Sequence, residues 1–99
     1  MIRHIVMWNF QETLNEQQKK EAAKQMVKNL EPLKDKIPGV ISLQIIPNEL
    51  ESSNREIALI GDYESVEALK SYAVHPLHLE AVAYVKSVCC DRIAFDYEL

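Results

Sequence analysis

Four segments of this chain are apolar on both sides of an extended backbone, and this limits what the chain can fold into. Side chains alternate faces along a strand, so a sheet with one wet face shows one apolar parity and one polar one. Ile2 to Phe10 has Val6, Trp8 and Phe10, with His4, at even positions, and Ile5 and Met7 at odd ones. Glu56 to Tyr63 sets Ile57 and Leu59 against Ala58 and Ile60, and Val40 to Ile46 and Val88 to Tyr97 repeat the pattern. Both faces of the sheet they form need cover.

The segments between the strands can cover one face. Asn15, with Gln18 three residues on, has the pattern of a capping box. After it, Ala22, Ala23, Met26, Val27, Leu30, Leu33 and Ile37 recur at spacings of three and four, the stripe of an amphipathic helix. Pro32 is expected to kink its last turns, and Pro38 and Gly39 to end it. Ser65 can cap a short helix bearing Val66, Leu69 and Tyr72, and Pro76 can start another to about Lys86, with Ala81, Val82 and Val85 inward. The order is β-α-β-β-α-β with the second helical region broken in two. It predicts a single α+β domain over residues 1–99 with a ferredoxin-like antiparallel sheet and helices on one face.

The other face is left with more apolar surface than soluble monomers usually tolerate. A second copy of the same sheet covers it most economically, burying roughly 800 Å² per partner in an interface of standard size. A homodimer joined through its sheet faces is therefore expected, with the helices outside.

Composition narrows the function. The net charge of −4 argues against a nucleic-acid backbone as the ligand. Gly39 and Gly61, the only two glycines in the chain, cannot build a glycine-rich phosphate loop. The N-terminal stretch is broken by Arg3 and His4, which argues against a signal peptide or a membrane span. Cys89 and Cys90, adjacent on a strand, should point to opposite faces and read as two small buried hydrophobes in a reducing, cytoplasmic setting. Glu49, Glu51 and Glu56 read as loop and edge solvation.

Four residues fall outside this apolar scheme: His4, Tyr72, His75 and His78. His4 shares the parity of Val6 and Trp8, which would line a space between sheet and helices. On an unbroken helix Tyr72 and His78 would lie about 120° apart, but a bend at His75 and Pro76 can bring them to one wall. The positive end of the helix dipole favours a neutral imidazole at His78, able to accept a proton, while a phenol can donate to a developing oxyanion. The same residues can also be read as a satisfied buried Tyr and His. A zinc site from His4, His75 and His78 has the weakest support, since HExxH and a nearby acidic ligand are absent from the sequence.

At these positions the sequence resembles the stress-responsive α/β-barrel (Dabb) family. The resemblance rests on His4-Ile5-Val6, Ile37-Pro38-Gly39-Val40, Phe95-Asp96-Tyr97 and, most specifically, Tyr72 through His75-Pro76-Leu77-His78. It implies a ferredoxin-like protomer that pairs into a dimeric α+β barrel. One member of the family, plant olivetolic acid cyclase, is a polyketide cyclase that needs no cofactor. Its catalytic Tyr and His match Tyr72 and His78, and a first-strand histidine matches His4. Ile57 stands where it has another pocket histidine, so its substrate does not carry over.

Taken together, these readings lead to the expectation of a cofactor-free pocket for a small, partly apolar carbonyl compound. Tyr72 and His78 would be catalytic, with His4, Trp8, Ile57 and His75 binding the substrate and no metal. A non-catalytic stress-associated or scaffolding protein is the alternative. A cofactor-independent monooxygenase, suggested by Trp8 alone, is the third.

Overall fold

The computed structural model describes residues 1–99 and has the expected element order. Strand β1 spans Ile2–Phe10, helix α1 Glu16–Leu30, and a 3-10 segment Glu31–Asp35 follows it. Strands β2 (Val40–Pro47) and β3 (Ile57–Tyr63) lead to helices α2 (Val66–Val74) and α3 (Pro76–Val88), and β4 (Cys89–Glu98) closes the fold. The four strands form one antiparallel sheet in the order β2-β3-β1-β4, the ferredoxin-like arrangement.

Local chemistry explains the boundaries. The Asn15 side chain accepts from the Gln18 amide at 2.8 Å, and the Gln18 side chain accepts from the Asn15 amide at 2.9 Å. Pro32 sits at the start of the 3-10 segment, where its missing N–H costs no helical bond. Gly39 has φ +85°, and a Cβ there would meet Ala68 Cβ at 2.7 Å, so glycine is needed for both its backbone and its space. The Ser65 hydroxyl accepts from the Ala68 amide and starts α2.

The helices cover the face that carries Ile2, Val6, Trp8, Phe10, Leu43, Ile45, Ile57, Leu59 and Tyr63, all buried. Met26, Leu30 and Leu33 pack on it from the first helical region, and Tyr72, Ala81 and Val85 from the second. The opposite face has no helix. Pairing aligns Ile5 with Ile60 and Phe95, and Met7 with Ala58 and Ile93, so these side chains share that open face. Phe95 is 67 % exposed and Ile93 46 %. Arg3 and Asp62 pair across the same face, with Arg3 Nε donating to Asp62 Oδ1 at 2.8 Å. No helix is long and apolar enough to cross a membrane.

Two expectations about single residues need correction. Glu56 is not simply edge solvation: its carboxylate accepts from the Phe10 amide at 3.1 Å and pairs with Lys19 at 2.8 Å, fastening β3 to β1 and α1. Cys90 is not buried like Cys89. A bulge opens between the Met7–Ile93 and Asn9–Cys90 pairs, and within it Asp91 has φ +54°. The register still sends the two to opposite faces, Cys89 opposite Phe10 and Cys90 opposite Asn9, and the face without helices leaves Cys90 only half-buried.

Candidate functional site

A cavity of about 650 Å³ lies between the β1–β4 half of the sheet and helices α2 and α3. Its floor includes Val6, Trp8 and Leu59, and its helical wall includes Leu69, Tyr72 and His78. The bend between α2 and α3 assembles that wall. His75 terminates α2 with extended backbone, φ −65° and ψ +136°, and its amide donates to the Tyr72 carbonyl at 3.1 Å. The same residue caps α3: its ring Nδ1 accepts from the Leu77 amide at 3.1 Å. The direction changes within one residue, and the Tyr72 and His78 ring centroids come to 4.2 Å apart.

The hydrogen bonds fix the tautomer of His78. Its Nδ1 lies 3.0 Å from the Ala73 carbonyl, which can only accept, so Nδ1 carries the proton and Nε2 keeps a free lone pair. Burial lowers its pKa, the Ala73 carbonyl opposes this, and the charges of His4, Arg92 and His75 lower it further. The imidazole is therefore neutral at pH 7, with burial as the main cause ahead of any helix dipole.

Tyr72 is 2 % exposed, and its hydroxyl has no hydrogen-bond partner in the protein. Burial pushes its phenol up to about 12; the Tyr63 hydroxyl is close enough to oppose this weakly but is not in hydrogen-bonding geometry. At neutral pH it remains a donor. Tyr63 lies beside it, with ring centroids 5.1 Å apart, and its hydroxyl is likewise unpartnered. Tyr63 packs edge-on against His4 at 6.0 Å. His4 Nδ1 is bonded to Asp96, its cross-strand neighbour on β4. An aromatic chain thus runs from His4 through Tyr63 and Tyr72 to His78.

Of the expected site residues, His4, Trp8, Tyr72 and His78 line the cavity, and Ile57 and His75 do not. Ile57 is 2 % exposed and locked in the core beside Trp8. His75 has its imidazole committed to capping, so the three histidines do not converge on one point. Asp96, Tyr63, Lys70, Lys86 and Arg92 were absent from the expected set. Tyr63 could have been found, since it has the inward parity of Ile57 and Leu59. Asp96 and Arg92 both needed the β1–β4 register, which sets the parity of β4 that faces the helices.

Both cysteines reach the cavity, but neither is poised as a nucleophile. Burial pushes the Cys89 thiol up to about 12 and also raises that of Cys90, so both stay protonated at neutral pH.

The model of the family described as the Stress responsive A/B Barrel Domain matches residues 2–99. This chain belongs to that family. Solved structures similar to this A/B barrel domain include a dimeric protein of unknown function with a ferredoxin-like fold from Bacteroides fragilis. The two are 23 % identical with a TM-score of 0.90, covering 99 % of this chain and 95 % of that one. A dimeric ferredoxin-like protein of unknown function from Thermobifida fusca is 24 % identical with a TM-score of 0.83, covering 99 % and 90 %. A hydroxynitrile lyase from Passiflora edulis is 16 % identical with a TM-score of 0.80, covering 99 % and 92 %. None of the curated proteins matches this A/B barrel domain.

Proposed function

We propose that this A/B barrel domain binds a small, partly apolar carbonyl compound in the cavity and moves a proton on it without a cofactor. The observation that carries this reading is the 4.2 Å approach of Tyr72 to His78 on a wall of a mainly apolar cavity. The Tyr72 O–H donates to the carbonyl oxygen as negative charge builds there, and His78 Nε2 takes a proton from the adjacent carbon. The C–H electrons enter the enolate, and the new imidazolium N–H is the proton returned later. Return to a different carbon gives isomerisation. If the enolate carbon first attacks a second carbonyl, return to the new alkoxide gives cyclisation. Trp8 packs on the apolar body, and His4, held by Asp96, presents its other ring nitrogen as a polar contact.

Two copies pair through their open sheet faces in this reading. The apolar set of Ile5, Met7, Ile60, Ile93 and Phe95 supports it, as do the dimeric structural neighbours. A hydroxynitrile lyase among those neighbours is compatible with lyase chemistry on this fold.

One observation favours a second reading, a non-catalytic stress-associated or scaffolding role. The Tyr72 hydroxyl is shut off from solvent beside Tyr63, as a purely packed side chain would be. Thermal-shift screening of small ketones and aldehydes on wild type, Tyr72→Phe and His78→Ala separates the two. The pocket reading expects a compound that stabilises wild type and loses most of that effect in both variants. Equal shifts in all three, or none in wild type, would favour the scaffold.

A further inference from the structure

The cavity is not electrically neutral at its rim. Lys70 on α2, Lys86 on α3 and Arg92 on β4 all border it, in a chain whose net charge is −4. None of the three takes part in an ion pair. Two carboxylates share the rim, Asp96 bonded to His4 and Asp91 accepting from the neutral Asn9 side-chain amide at 3.0 Å, so the three cations outnumber the anions. Three unpaired cations converge from three separate elements on one opening.

Strand alternation brings one of them there, since Arg92 shares the parity of Ala94 and Asp96, the partners of Val6 and His4. Four consecutive residues, Cys89 to Arg92, border the cavity, which a regular strand cannot arrange because alternate side chains leave on opposite faces. The bulge, with Asp91 at φ +54°, makes this possible. A non-glycine residue in that region is strained, and such strain persists where the surroundings hold it, often beside functional sites. Arg92 is exposed at the opening, and its charge is a lesser influence, after burial and His4, that disfavours the His78 imidazolium. Deeper in, the wall carries Tyr72, whose hydroxyl is unpartnered, and the free Nε2 of His78.

We infer that the ligand of this cavity is an amphipathic oxo-acid, with its carboxylate on Arg92 and the two lysines and its carbonyl at Tyr72 and His78. This deepens the proposed function and rests on it. An exposed cation alone contributes little, but hydrogen bonds between charged partners at a partly closed opening are the stronger kind. Arg92 supplies a planar fork suited to a carboxylate, and Lys70 and Lys86 add point charge.

The test uses the stable ketone 3-benzoylpropionate and its methyl ester, with affinities measured by titration calorimetry. Wild type should bind the acid about 10-fold more tightly than the ester, the scale of one charged hydrogen bond. Rising salt should weaken the acid and leave the ester unchanged. Arg92→Gln with Lys86→Gln, both exposed positions, should abolish the preference while ester binding persists. Arg92→Lys should restore only part of it. Acid and ester binding equally to wild type, each weakened by Tyr72→Phe, would overturn this inference and leave the proposed function standing. A preference that survives in the double variant would overturn it in the same way. If neither compound binds, both readings fall together.

Discussion

Removing the hydroxyl of Tyr63 or of Tyr72 should not destabilise the fold. Each is buried without a partner, so the folded state carries a desolvation cost of about 1–3 kcal/mol that phenylalanine relieves. Tyr63→Phe and Tyr72→Phe are therefore expected to raise the melting temperature or leave it unchanged, and Tyr72→Phe alone to lose the ligand-induced shift. A large fall in melting temperature for either variant would mean that the hydroxyl is bonded after all. Gly61 is the counter-case. A Cβ there would stand 2.9 Å from the Tyr63 ring and hydroxyl and from Leu43 Cδ2, so Gly61→Ala should cost about 1–3 kcal/mol in denaturant unfolding. Residues whose role follows from face alone were legible: His4, Trp8 and Tyr72 share the parity or helical stripe of buried neighbours. Ile57 shares that parity too, but it sits deeper than the cavity wall, and depth is not written in alternation.

At the scale of elements, the decisive feature is the joint between α2 and α3. Proline at position 76 announces the bend in sequence, because the residue before it avoids helical backbone. What sequence reasoning could not assign is the use of His75 as the cap, since Ser, Thr, Asp and Asn are the usual acceptors there. Its ring nitrogen replaces their oxygen in accepting from Leu77. His75→Ala should therefore cost about 1 kcal/mol by chemical denaturation, and His75→Asp should recover most of it. If alanine is neutral, the imidazole is a bystander and the turn is held by Pro76 alone. The β4 bulge was similarly hidden. It depends on how β1 and β4 are registered, a non-local property, and it sets Cys89 rather than Cys90 on the face that Arg92, Ala94 and Asp96 share.

For the whole molecule, pH and assembly are the two global readouts. His78 has a lowered pKa, so below about 6.5 the unfolded chain binds a proton that the folded chain resists. Stability should fall as pH drops below that value, and His78→Gln should flatten this acid limb. Above about 10 the unfolded tyrosines release protons while Tyr72, at about 12, and Tyr63, raised further, hold theirs, so stability should fall again. Assembly concerns the face that the helices leave open. The double-sided apolarity of β1 and β3 was visible from composition alone, whereas on β4 only the Cys89 end is buried and the rest is exposed. That exposure is what a sheet-to-sheet partner would remove. Phe95, opposite Ile5 and 67 % exposed, is the largest apolar side chain on this surface, so a charge there should oppose pairing without disturbing the protomer's own core. In analytical ultracentrifugation at low micromolar concentration, wild type should sediment as a dimer and Phe95→Glu as a folded monomer. A dimer persisting in Phe95→Glu would move the contact to another surface. A wild-type protein that is monomeric and well folded would mean the open face needs no partner, and the apolar residues at both parities of β1 and β3 would then need a different cause.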